Sequence, residues 1–134
     1  MFAPRGAGAA LKPQEAIMKK ILVVDDEDNI RLLYQEELRD AGYEVALAGN
    51  ADEALAKIEE SPPDLITLDV KLPGMSGLDF LKKLKENHKD IPVIVCSAYG
   101  TYKQEFKLWA SEAYVVKSAD LRELKTTIKE ILND

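Results

Sequence analysis

Five polar residues each stand at the C-terminal end of a short apolar run. Asp25 and Asp26 follow Ile21–Val24, Asp69 follows Leu65–Leu68, Ser97 follows Pro92–Cys96, and Lys117 follows Ala113–Val116. If those runs lie side by side, three carboxylates, one hydroxyl and one ammonium meet at one rim. Two carboxylates about 4 Å apart repel by roughly 4 kcal/mol at an effective dielectric near 20. Such a cluster needs a cation, or at least one protonated member. Mg²⁺ suits it, being a hard ion that takes one or two carboxylates together with waters and phosphate oxygens. Each residue also has a plainer reading. Asp25 and Asp26 could cap a following helix, Asp69 could merely precede the turn Leu72-Pro73-Gly74, Ser97 could be a loop hydroxyl, and Lys117 a solvated strand end. Five separate explanations at one rim are a poorer account than one shared site.

The elements that must carry these residues alternate regularly. The apolar run Ile21–Val24 reads as a buried strand. Asp28–Ala41 carries Ile30, Leu33, Tyr34 and Leu38 at helical spacing, and Gly42 stops it. Tyr43–Ala48 is a second strand. Ala51–Glu60 places Ala54, Leu55 and Ile58 on one helix face, and Pro62-Pro63 ends it. A third strand at Leu65–Leu68, a helix at Ser76–Asn87 and a fourth strand at Pro92–Cys96 follow. The spacing then predicts a short helix over Thr101–Trp109, a fifth strand at Ala113–Val116 and a last helix over Asp120–Leu132, with Leu121, Leu124, Ile128 and Ile131 inward. Short strands each followed by a helix give an α/β, doubly wound, all-parallel sheet covered on both faces. Right-handed crossovers leave the flavodoxin-like order 2-1-3-4-5, with five helices, as the expected winding. In an open sheet of that kind, ligands bind beyond the carboxyl ends of the strands, where the five polar residues fall.

At 134 residues, with 46% hydrophobic and 31% charged residues, the chain suits one compact soluble domain. The net charge of −6 argues against a nucleic-acid surface, which needs a clustered Lys/Arg excess. No run approaches the roughly 18 apolar residues of a membrane span. The one cysteine, Cys96, has no partner for a disulfide and sits in the apolar run Ile91–Cys96, as a small buried hydrophobe would. A cytoplasmic, reducing compartment is expected. Residues 1–17 differ in composition and lack periodicity, so they read as a flexible leader or tag remnant before a domain spanning 18–134.

The runs VVDDE (Val23–Glu27), LDVKLPGMSG (Leu68–Gly77), CSAYG (Cys96–Gly100) and YVVK (Tyr114–Lys117), in that order, resemble the receiver domain of two-component response regulators. The resemblance covers nearly all of the chain from Met18 onward. It implies that Asp69 accepts a phosphoryl group from a histidine kinase or a histidine phosphotransfer protein. It further implies that Asp26 and Asp69 coordinate Mg²⁺ directly, with the Lys71 backbone carbonyl as a third ligand and Asp25 acting mostly through water. Ser97 would bond one phosphoryl oxygen, Lys117 would neutralise another, and Tyr114 matches the family's switch aromatic. A receiver is a signalling switch that catalyses only its own phosphorylation and dephosphorylation. Its output would leave through the fourth helix, fifth strand and fifth helix to a downstream protein. Lys71 and Tyr99, two residues beyond Asp69 and Ser97, resemble the occupancy of sporulation-relay receivers, which pass the phosphate onward; these bulky side chains imply a shielded, slowly hydrolysed aspartyl phosphate. The chemistry of the residues agrees: phosphoryl transfer asks mainly for positioning and charge neutralisation, and an ionised carboxylate needs no general base.

Departures from the family pattern are few. Lys117 is followed by Ser118 where the family usually has proline in a cis bond. A non-proline cis bond costs roughly 3–4 kcal/mol, so that loop is open to rebuilding in trans. The stretch from Ser97 to Lys117 is about two residues short and lacks the usual glycine, which predicts a short, poorly capped fourth helix. Ser97 replaces the more frequent threonine. Three rivals share parts of the pattern. A haloacid-dehalogenase-type phosphohydrolase would want an acid where Lys71 stands. A flavin carrier would want a Ser/Thr/Gly-rich phosphate loop where Asp25-Asp26-Glu27-Asp28 stands. An unphosphorylated binding module would not need the full acceptor set.

Overall fold

The computed structural model describes residues 18–98 and 111–133. The leader over 1–17, Tyr99 and the helix expected over Thr101–Trp109 lie outside the described residues. Five strands form one parallel sheet: β1 (Lys20–Val24), β2 (Glu44–Ala48), β3 (Leu65–Asp69), β4 (Val93–Ser97) and β5 (Ala113–Val116), in the order β2-β1-β3-β4-β5. Between them run α1 (Asp28–Asp40), α2 (Ala51–Glu60) and α3 (Gly77–Asn87), with α4 (Arg122–Leu132) after β5. This is the doubly wound order that the alternation of runs predicts. Among the described residues, no helix is long and apolar enough to cross a membrane.

Strand side chains alternate between two cores, because successive Cβ atoms leave opposite faces of the sheet. Leu22, Val24, Ile66, Leu68, Val93 and Val95 pack with Ala54, Ile58, Phe80, Leu81 and Leu84 of α2 and α3. Ile21, Val23, Leu65, Ile94, Cys96 and Val115 pack with Tyr34, Leu38, Leu124 and Ile128 of α1 and α4. Both faces being covered explains why the strands read as near-continuous apolar runs rather than alternating ones.

Local chemistry sets the helix ends. Gly42, at φ +100°, follows α1 in a Schellman motif: its N–H donates to the Arg39 carbonyl and that of Tyr43 to the Leu38 carbonyl, at 3.0 and 3.1 Å. Asn50 caps α2 through the Glu53 N–H (2.8 Å), and the Glu53 carboxylate reaches back to the Gly49 N–H (2.6 Å). Ser76 caps α3 through the Asp79 N–H at 3.1 Å. The last helix starts at Arg122, two residues later than the pattern suggests. There the Asp120 carboxylate accepts from the Arg122 N–H (3.0 Å) and grips its guanidinium, holding a turn ahead of the helix. The pieces Lys71–Leu72 and Met75–Ser76 pair antiparallel across Pro73-Gly74, a small hairpin that no alternation in the sequence signals. Gly74 takes φ +77° at its tip, the conformation a type II turn requires.

Candidate functional site

The carboxyl ends of β1, β3, β4 and β5 bring the five polar residues to one rim. β1 continues pairing with β2 through the Asp25 N–H, which donates to the Ala48 carbonyl at 3.0 Å. Asp69 and Ser97 are the last residues of β3 and β4. The Lys117 N–H donates to the Ser97 carbonyl at 2.6 Å, so the hydroxyl and ammonium residues share one backbone link. Asp26, Glu27, Asp69, Val70, Lys71, Ser97, Ala98 and Lys117 line a cleft of about 290 Å³. Carboxylate oxygens of Asp25, Asp26 and Asp69 all lie within 4.8 Å of one another. Asp25 and Asp69 are buried and Asp26 is exposed, which opens the cluster to solvent on one side.

Lys117 is the counter-charge. Its Nζ stands 2.7 Å from Asp25 Oδ2, 3.3 Å from Asp69 Oδ1 and 3.6 Å from Glu27 Oε1. Burial works to lower the Lys117 ammonium, but the hydrogen bond and charge of Asp25, then the charge of Asp69, outweigh it, and its pKa is raised. Asp69 is also raised, first by burial and then by the neighbouring Asp25 charge, against the pull of Lys117. One ammonium thus leaves the three carboxylates under-compensated. The donor set is hard oxygen, one member exposed, with an open cleft beside it: it fits a small divalent cation that keeps several waters.

Several parts of the site carry no obvious signal in the sequence. Gly77 starts α3 directly under the end of β3: its N–H donates to the Val70 carbonyl at 2.6 Å, and a Cβ there would stand 2.5 Å from the Asp69 carbonyl oxygen. Only glycine allows that approach. Glu27 joins the Lys117 ion pairs although only its neighbours stand out as candidates. Arg31 Nη1 donates to the Asp25 carbonyl at 2.6 Å, and its other nitrogen pairs with Asp28.

The capping alternative for Asp25 and Asp26 does not hold. The N-cap residue of α1 is Glu27, without a side-chain cap bond, and Asp25 Oδ1 instead accepts from the Glu27 N–H at 2.9 Å. The Lys117–Ser118 bond is trans, there being no cis peptide among the described residues. Lys117 still reaches the acids. Lys71 lies in the hairpin opposite Ser76 and lines the cleft. Tyr114 pairs in register with Val95, two residues before Ser97, so Tyr114 and Ser97 share one face of the sheet. Tyr114 is half-buried against the α2–α3 core. Cys96 is buried beneath the rim in the same core as Tyr34, and burial pushes its thiol up to about 12. It is an inert core residue.

Comparison with known proteins agrees with this geometry. The family model described as the response regulator receiver domain matches residues 21–129. The chain belongs to that family. It is 37% identical over 116 residues to sporulation initiation phosphotransferase F of Bacillus subtilis, covering 85% of this chain and 94% of that protein. To the alkaline phosphatase synthesis transcriptional regulatory protein PhoP of the same organism it is 39% identical over 120 residues; the match covers 85% of this chain but only 48% of that longer protein. Among solved structures, the response regulator TrrA of Thermotoga maritima, in complex with Mg²⁺-BeF, superposes with a TM-score of 0.81 at 45% identity, over 85% of this chain and 99% of that one. TrrA in complex with the histidine kinase ThkA gives a TM-score of 0.79 at 45% identity, over 86% and 99%.

Proposed function

We propose that this chain is a phosphoacceptor switch of a two-component or phosphorelay system, taking a phosphoryl group onto Asp69 from a histidine kinase or a histidine phosphotransfer protein. The observation that carries the reading is the rim itself: Asp69, two further carboxylates and the Lys117 ammonium face one open cleft. Its likeness to TrrA, solved with Mg²⁺-BeF and with a histidine kinase, supports the cation and the donor class.

In this reading an Asp69 carboxylate oxygen attacks phosphorus, the P–N bond of the phosphohistidine breaks, and its electron pair returns to the imidazole. Asp69 then carries an acyl phosphate with a charge near −2. Asp25, Asp26, Asp69 and the Lys71 carbonyl would hold Mg²⁺. Bound there, the ion supplies positive charge for the phosphoryl oxygens, which is most of what this transfer requires. Lys117 neutralises one phosphoryl oxygen and the Ser97 hydroxyl donates to another. Drawing Ser97 toward the phosphoryl group frees space on the sheet face it shares with Tyr114, which turns inward. The change leaves through β5, α4 and the segment Thr101–Trp109 to a downstream protein.

The protein acts as a cytoplasmic signalling component and turns over no separate substrate. The receiver unit spans 18–134, with 1–17 a leader or tag remnant outside it. The 94% coverage of a sporulation phosphotransferase, together with Lys71 and Tyr99, favours a relay intermediate. Phosphotransfer profiling tests the donor. Each histidine kinase of the host is autophosphorylated with labelled ATP and mixed with the protein; rapid transfer from one of them, absent in Asp69→Asn, is expected. Transfer from none of the kinases or phosphotransfer proteins would refute this reading.

A further inference from the structure

Asp26 is the exposed member of the carboxylate cluster, and among the described residues no hydrogen bond or ion pair holds its side chain. What fixes it is the peptide before it. The Asp25–Asp26 peptide is planar, so the placement of its oxygen sets the direction in which Asp26 leaves. That oxygen accepts a hydrogen bond from Arg31 Nη1 at 2.6 Å. The guanidinium is held in turn by Asp28, one turn back on α1, and lies against Gly49, where a Cβ would stand only 3.1 Å from Nη1. Arg31 is well buried for a charged side chain, with 19% of it exposed. The fork thus bonds the end of β1 to the first turn of α1 and lies close beside the β2–α2 loop. The other polar groups of Asp25 are also engaged, its N–H by the Ala48 carbonyl and its carboxylate by the Glu27 N–H and Lys117.

We propose that Arg31 is a positioning residue for the cation site: by holding the Asp25 carbonyl it fixes the peptide from which the Asp26 carboxylate projects. The inference rests on the Mg²⁺ reading above. Outer groups that orient a metal's ligands typically matter to affinity by about tenfold or more. A merely electrostatic role makes the opposite forecast. Arg31 is a cation bonded to the backbone of one member of the cluster, so removing its charge alone would tighten the binding of another cation.

Magnesium titrations by calorimetry on the metal-stripped full chain separate these forecasts, with thermal midpoints in EDTA as the control for folding. Arg31→Gln should weaken Mg²⁺ binding roughly tenfold while the metal-free protein stays folded. Gly49→Ala changes no charge and touches no carboxylate of the cluster; its Cβ displaces the guanidinium, and it should weaken binding in the same direction by a smaller factor. Unchanged or tighter binding in Arg31→Gln, or unchanged binding in Gly49→Ala should the first variant fail to fold, would overturn the proposal. Wild-type protein that binds no Mg²⁺ would refute the metal reading itself, and this inference with it.

Discussion

Replacing the buried Asp69 carboxylate by its neutral isostere should stabilise the metal-free protein. Asp69 carries oxygens within 4.8 Å of both Asp25 and Asp26. At an effective dielectric near 20, each of those contacts repels by about 3.5 kcal/mol. Lys117 Nζ, 3.3 Å from Asp69 Oδ1, returns about 5 kcal/mol on the same scale. The balance is about 2 kcal/mol against the ionised Asp69, before burial adds its own cost. Asp69→Asn keeps the shape and removes these charge terms, so urea unfolding in EDTA at neutral pH should show a gain of about 2 kcal/mol, or roughly 1 M in midpoint. The pH dependence follows from the raised pKa. An acid whose folded-state pKa lies above its ordinary 3.8 binds more protons folded than unfolded. Its favourable contribution is full below that ordinary value and is lost as pH rises through the raised one. The advantage of Asp69→Asn should therefore be small near pH 4 and grow toward neutrality, and added Mg²⁺ should reverse the order. An Asp69→Asn protein no more stable than wild type in EDTA at neutral pH would refute the charge balance.

Other perturbations reach the remaining parts of the site. Lys117→Met removes the buried counter-charge from Asp25 and Asp69, and should cost about 3 kcal/mol in EDTA by urea unfolding, with saturating Mg²⁺ restoring much of the loss. Gly77→Ala forces a Cβ against backbone atoms of Asp69 and Val70 that cannot rotate away; a loss of at least about 2 kcal/mol by the same assay is expected, with weakened Mg²⁺ affinity. Trp109 is the chain's only tryptophan, and its emission should change when beryllofluoride and Mg²⁺ are added. Ser97→Ala should blunt that change, and a full-sized change in the variant would rule out Ser97 as the first mover.

Most of the architecture is legible in the sequence because it is written in period and punctuation. The apolar runs that end at Val24, Leu68 and Cys96 need burial on both faces, and that need forces the sandwiching helices. Gly42, Asn50 and Ser76 mark helix ends through chemistry confined to a few neighbouring residues. The rim follows from the winding order, since Asp25, Asp69, Ser97 and Lys117 stand at strand ends that the order makes adjacent. What the sequence hides depends on contacts between distant pieces. Gly77 sits in an ordinary-looking Ser-Gly pair, and its necessity appears only when α3 lies against the Asp69 carbonyl. Arg31 falls outside the apolar positions of its helix, and its role appears only when Gly49 and the Asp25 carbonyl are seen beside it. Glu27 looks like one acid among four, and only the reach of Lys117 singles it out. The start of α4 is displaced because the Asp120 carboxylate takes both the N–H and the guanidinium of Arg122 and holds a turn ahead of the helix.

The central claim is that Asp69 is a cation-dependent phosphoacceptor, and intact mass spectrometry tests it most directly. Incubation with acetyl phosphate and Mg²⁺ should add one phosphoryl group to the wild-type protein, and none to Asp69→Asn or to wild type in excess EDTA. A phosphoryl group that persists in Asp69→Asn, or a wild-type protein that stays unmodified, would contradict the account.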